Sequence, residues 1–125
     1  MPSRRVKAPT WLADIEPHDY TAAVSYLSLI YPDKRAVSLV ARLRRKSLVQ
    51  FKAKDIFRAS GLSLLGVSNS HVERDGQKIK KGIALSPLLL VRDMEGRAVV
   101  IADGYHRLCA VYQFDEDAMI PCKIV

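Results

Sequence analysis

The polar residues Asp103, Gly104, Tyr105, His106 and Arg107 stand between a β-branched run and a pattern typical of a helix. The first backbone N–H groups of a helix lack acceptors, and together with the helix dipole they favour an anion. Glycine lets ligand oxygens approach the backbone, and arginine can hold a phosphate through two parallel hydrogen bonds. The cluster therefore predicts a phosphate-binding corner, with Gly104, Tyr105, His106 and Arg107 as the binding residues.

Two residues of this cluster are also candidates for catalysis. Asp103 can cap the helix, hold a metal ion beside phosphates or, by its position, act as a general base. His106 is the second candidate, because an imidazole can move a proton near neutral pH. A capped helix that carries a His-Arg pair by chance would have the same sequence pattern. The residues alone therefore leave a purely structural role open.

The elements that position the corner follow from hydrophobic spacing and turn residues. A buried strand and a second strand, joined by a turn at residues 93–96, indicate a β-hairpin over residues 86–102 that leads into the corner. An Asp-Gly pair interrupts one of the helical patterns. The remaining elements of this core are predicted as strands at residues 48–51 and 120–125 and as helices at residues 54–60 and 72–81.

Two amphipathic helices are predicted ahead of this core. Apolar residues recur at three- and four-residue intervals from Asp19 to Tyr31, where Pro32 ends the helix. Asp33 is the predicted cap of the second helix, which ends in a basic run at residues 42–46. We therefore expect an α+β protein: a small mixed sheet with packed helices in residues 48–125, preceded by an N-terminal arm and helical hairpin in residues 1–47, compact as one domain.

The run VVIADGYHRLCAVY, preceded by the strand SPLLLVRD, resembles the core motif of the ParB/sulfiredoxin superfamily. In that family a hairpin leads into a glycine corner and a helix that begins Gly-x-His/Arg-Arg, and the corner holds nucleotide phosphates. The resemblance covers residues 48–125. It implies a ParB/sulfiredoxin-like fold that binds ATP, ADP or CTP with magnesium, with phosphoryl transfer or nucleotide hydrolysis as the possible reaction.

The chain departs from the known branches of this family at Tyr105. Sulfiredoxins carry a catalytic cysteine at this position, and partition proteins carry a glutamate there and an arginine in place of His106. We therefore expect neither sulfiredoxin activity nor CTP switching. Cys109, one helical turn later, is expected to be a small core residue rather than a nucleophile.

Two further residues are predicted to bind the same ligand. Lys81, next to another lysine and a glycine ahead of the first hairpin strand, can reach the phosphates, although such lysines are more often solvated. Ser86 precedes a proline and can line the pocket or simply begin the strand. His18 and His71 have no metal-ligand spacing with each other or with the cysteines, so we predict no resident metal site.

The charge of the chain is unevenly distributed. Residues 1–58 hold twelve lysines and arginines against five acids, whereas residues 59–125 hold eight of each. A basic half of this kind can face DNA or RNA, or it can be an ordinary solvated surface. The alternatives to nucleotide binding are therefore a nucleic-acid-binding or ParB-like nuclease module and a non-enzymatic regulatory partner of another protein.

The composition excludes two classes of protein. Apolar residues make up 49% of the chain and charged residues 26%, which is too apolar for a disordered protein. The apolar runs are far shorter than the roughly 20 residues that a membrane span needs. The two cysteines show no spacing typical of a disulfide framework, which favours a reducing compartment. We therefore expect a cytoplasmic protein without a membrane partner.

Overall fold

The computed structural model of the chain describes residues 8–66 and 69–125. Over these residues the chain forms one four-stranded mixed sheet and five helices, which confirms the predicted α+β class. In chain order the elements are α1 (Pro17–Leu27), α2 (Asp33–Arg44), β1 (Val49–Lys52), α3 (Ala53–Ser60), α4 (Ser70–Lys81), β2 (Leu88–Asp93), β3 (Ala98–Asp103), α5 (Tyr105–Phe114) and β4 (Met119–Ile124).

The sheet has the strand order β1-β4-β2-β3. The neighbours β4 and β2 run parallel, and the two outer pairs are antiparallel. β2 and β3 form the predicted hairpin, in which Leu90 lies opposite Ile101 and Val91 opposite Val100. The end of β3 thus lies beside the start of β2, and the corner into α5 follows directly from it.

Helices cover both faces of the sheet because successive side chains of a strand point to opposite faces. Leu88 and Leu90 of β2 pack in one apolar cluster with α3, α4 and α5. Leu89 and Val91 pack in a second cluster with α1 and α2. The N-terminal hairpin therefore closes one face of the sheet that carries the corner.

The predicted helices are confirmed, with differences at their ends. α1 stops at Leu27, whereas the apolar spacing predicts a helix that continues to Tyr31. α1 begins at Pro17, since proline is well suited to the first turn. The prediction that Asp33 caps α2 is wrong: Pro32 is the N-cap, and no side-chain cap is formed. α4 continues across Gly76, stabilised by the side chain of Asn69, which accepts from the backbone N–H of His71 and Val72. Among the described helices, none is long and apolar enough to cross a membrane.

The described part of the predicted N-terminal arm, ahead of α1, is paired with the core. The described part of that arm begins at residue 8. Trp11 forms a parallel bridge with Leu85, whose N–H donates to Thr10 O at 2.9 Å. Further along, Asp14 pairs with Lys123 of β4 at 3.3 Å. These contacts hold the start of α1 against the sheet.

Candidate functional site

Gly104 forms the turn between β3 and α5. Its φ of 108° lies in the left-handed region, which other residues rarely adopt. A Cβ atom there would lie 2.7 Å from Leu88 Cγ and 2.9 Å from Arg107 Nη2. In the described chain, the first N–H of α5 that donates to a backbone carbonyl is that of Leu108, to Gly104 O at 2.9 Å. The N–H groups ahead of it lie at the open end of the helix, where an anion binds best.

Arg107 lies beneath this corner and is held there by carboxylates. Its Nη2 donates to Asp103 Oδ2 at 3.0 Å and to Asp19 Oδ2 at 3.4 Å. It also donates to Pro87 O at 3.4 Å, and its side chain is 17% exposed. The possibility that Asp103 caps α5 is wrong, because Gly104 is the N-cap and makes no side-chain cap. Asp103 instead fixes the guanidinium of Arg107.

A cavity of about 210 Å³ opens at the corner, between the start of α5 and one face of α4. α4 contributes residues at the i, i+3, i+4 and i+7 spacing of a single helix face. A larger depression of about 790 Å³ lies along α3 and is separate from the corner. The residues that line the corner cavity are His71, Arg74, Asp75, Lys78, Asp103, Gly104, Tyr105, His106 and Arg107.

Two imidazoles lie next to each other in the lining of this cavity. The ring centroids of His71 and His106 are 4.8 Å apart, and the rings are tilted by 40°. Burial lowers the pKa of His106, and the neighbouring His71 lowers it further. His106 is therefore neutral at pH 7 and can accept a proton.

The carboxyl groups of the cavity hold protons more tightly than usual. Burial raises the pKa of Asp75, an effect that the nearby Arg107 partly offsets. Burial also raises the pKa of Asp103; Arg107 opposes this, whereas the adjacent Asp19 carboxyl raises the pKa further. An Asp103 with this property is chemically suited to take up a proton.

The structure brings together most, but not all, of the predicted site residues. Asp103, Gly104, Tyr105, His106 and Arg107 all line the corner cavity. The hydroxyl of Tyr105 donates to the Ser63 carbonyl, which fixes its ring.

Lys81 and Ser86 lie outside the cavity. Lys81 is exposed in the last turn of α4, and Lys78, one turn earlier, occupies the place expected for it. Ser86 is buried, and its Oγ accepts from Glu16 N at 3.1 Å. Ser86 therefore anchors the N-terminal segment.

Sequence reasoning did not assign Asp19, or the four residues of α4 that line the cavity, to the site. The residues of α4 do have a signal in the sequence, because polar residues at this spacing form one helix face. They are His71, Arg74, Asp75 and Lys78. Asp19 has none, because its contact with Arg107 joins residues that are 88 positions apart.

The cysteines do not contribute to this site. Cys109 and Cys122 are free and buried, as expected for Cys109. Burial raises the pKa of Cys109, and it raises the pKa of Cys122 to about 12. Within the described ranges, no group of three or more histidine, cysteine or acidic side chains is arranged to hold a metal ion.

Comparison of the chain with models of known protein families, with curated proteins and with solved structures found no match. The resemblance to the ParB/sulfiredoxin superfamily stays a prediction.

Proposed function

We propose that this chain binds the phosphate groups of a nucleotide in the corner cavity. The observation that carries the proposal is the convergence of two helices on one small polar cavity. α5 brings its open N-terminus, and α4 brings Arg74 and Lys78. Backbone N–H donors and cationic side chains together are the usual means by which proteins hold phosphate.

The size of the cavity favours phosphate groups as its occupant. Ligand pockets that enclose a drug-sized molecule measure roughly 300–1,000 Å³. The corner cavity, at about 210 Å³, is smaller and is lined by charged and polar side chains. We infer that the phosphates enter the cavity and that the base and sugar of ATP, ADP or CTP lie at its mouth.

Magnesium fits this proposal as a companion of the nucleotide. Mg²⁺ commonly binds through one or two carboxylates together with substrate phosphates, and the cavity carboxylates are Asp75 and Asp103. If the site transfers or hydrolyses a phosphoryl group, Asp103 is the candidate general base, and the neutral imidazole of His106 is the alternative acceptor.

Calorimetric titration of the protein with ATP, ADP and CTP, each with Mg²⁺, tests the proposal. Arg74→Ala and Lys78→Ala should each weaken binding about tenfold, since each removes one charged hydrogen bond to phosphate. Lys81→Ala is the matched control on the same helix and should bind as the wild type does. The proposal fails if the wild type binds none of the three nucleotides, or if the Lys81 variant loses as much affinity as the other two.

The end of α2 supports a second candidate function, the binding of DNA or RNA. Lys54 in the same basic half is paired with Asp117 at 2.8 Å. By contrast, the cations at the end of α2 are exposed and make no ion pair within the described residues: Arg42, Arg44, Arg45 and Lys46. Affinity in a gel-shift series should fall steeply with added salt and should drop in an Arg45→Ala, Lys46→Ala variant. Absence of binding at low salt removes this candidate.

A further inference from the structure

Asp19 of the N-terminal hairpin reaches the corner from the other face of the sheet. It lies in the first turn of α1, which packs in a different apolar cluster from α5. The residue is 4% exposed, and its Oδ2 lies 3.4 Å from Arg107 Nη2. A buried carboxylate of this kind requires partners. The guanidinium of Arg107 faces Asp19 Oδ2, and His18 Nε2 lies 3.2 Å from the other oxygen, Asp19 Oδ1.

The position of Arg107 determines the shape of the corner. Its Nη2 lies 2.9 Å from the place where a Cβ atom of residue 104 would stand, so the guanidinium fills the space under the glycine. Pro87 O accepts from the same nitrogen at 3.4 Å. Asp103 holds the guanidinium from the end of β3, and Asp19 holds it from α1.

We infer that Asp19 is a positioning residue of the candidate phosphate site, which fixes Arg107 under Gly104 and thereby sets the first turn of α5 against the cavity. The inference rests on the proposed function of that site. Asp19 does not line the cavity, so its effect on a ligand passes through Arg107. The site is then complete only when the N-terminal hairpin is packed on the sheet.

Asp14 separates this role from a merely structural one. Like Asp19, it belongs to the N-terminal segment and pairs with a cation of the core, but that cation is Lys123. If these carboxylates serve only to attach the hairpin, each alanine variant should disturb the corner in proportion to the free energy of unfolding that it loses, which is smaller for the 68% exposed Asp14 than for Asp19. If Asp19 positions Arg107, only the Asp19 variants should change it.

Binding of inorganic pyrophosphate, measured by calorimetry, is the first readout. Asp19→Ala should weaken binding about tenfold, because it removes one of the two carboxylates that fix the guanidinium. Asp19→Asn keeps an acceptor of similar volume and should have a smaller effect, and it replaces the alanine variant if that variant does not fold. Wild-type affinity in both Asp19 variants, or an equal loss in Asp14→Ala, overturns the inference.

The NMR signal of the Arg107 Nε–H group, recorded without ligand, is the second readout. In Asp19→Ala and Asp19→Asn this signal should shift and its hydrogen exchange should accelerate, whereas Asp14→Ala should leave both unchanged. If the wild type binds neither pyrophosphate nor any of the three nucleotides, the proposed function fails, and this signal still decides whether Asp19 positions Arg107. An unchanged Arg107 signal in the Asp19 variants overturns the inference.

Discussion

Lys123 is buried and Arg107 is 17% exposed, and each pairs with a carboxylate from residues 1–47, but their surroundings differ. Lys123 Nζ has an acceptor for each of its three hydrogens, in Asp14, the Tyr20 hydroxyl and Arg44 O. Within the described residues, Arg107 makes all its hydrogen bonds through Nη2, and its buried Nε has no acceptor.

The two cations also differ in the number of buried carboxylates around them. Asp14 is 68% exposed, so its charge is largely solvated without Lys123. Asp19 and Asp103 are both mostly buried, and they share a single arginine. Lys123 thus forms a structural ion pair in which every Nζ hydrogen has an acceptor. Arg107 lines a cavity and carries one positive charge against two carboxylates.

The largest difference should appear when each cation is replaced by methionine. Arg107→Met removes the arginine that two largely buried carboxylates share and should lower the free energy of unfolding by about 3 kcal/mol. Lys123→Met retains the apolar packing and should cost about 1 kcal/mol, mainly through the lost hydrogen bond of Tyr20. Urea denaturation of the two variants measures both values. Equal losses would show that the two contacts are equivalent.

A smaller effect is expected from Gly104→Ala, which disturbs Arg107 without touching Lys123. The new Cβ would meet Leu88 and Arg107 at a strained φ, so the free energy of unfolding should fall by about 2 kcal/mol. Gly76→Ala is the control, since a Cβ there meets nothing within 4 Å in the middle of α4. It should stabilise the protein by about 0.5–1 kcal/mol. Thermal unfolding of both variants tests the pair, and a stable Gly104→Ala would contradict the geometry of the corner.

The smallest expected effect is the change in the free energy of unfolding at pH 7 when Asp103 or Asp14 is replaced by asparagine. This change should have opposite signs for the two residues. Asp103 has a raised pKa, mainly through burial, so its ionised form is less favourable in the folded chain than in the unfolded chain. Asp103→Asn should therefore stabilise the protein at pH 7, and the gain should disappear as the pH falls to the ordinary value near 3.8.

Asp14 has a lowered pKa, mainly through the hydrogen bond from the backbone N–H of Ile15. Asp14→Asn should therefore destabilise the protein at pH 7, and the loss should disappear as the pH falls through this lowered pKa. Urea denaturation at a series of pH values gives both curves. Curves of the same sign would mean that Arg107 and Lys123 hold their carboxylates in the same way.

The sequence predicts the elements well because their signals are local. Pro32 separates α1 from α2, Gly61 and Gly82 end α3 and α4 in the left-handed region, and alternation defines the hairpin. The corner was predicted for the same reason, since Asp103 to Arg107 are neighbours in the chain.

The rest of the site depends on packing between distant elements. Arg74 and Lys78 belong to a polar helix face of a kind that usually faces solvent, and nothing near them in sequence indicates that α4 packs against α5. Asp19 reaches Arg107 only because α1 covers the sheet. The sequence predicts Lys81 as a residue that binds the phosphates. In the structure, the face of α4 that lines the cavity carries Lys78 instead.

The order of the strands in the sheet affects when the chain can fold as it leaves the ribosome. Of the four described strands, β4 leaves the ribosome last, yet it lies inside the sheet and joins β1 to β2. Until residues 119–124 emerge, β1 has no neighbour and Asp14 has no lysine to pair with. Because these contacts join distant parts of the chain, the sheet can close only once residues 119–124 have emerged, rather than step by step as the earlier strands appear.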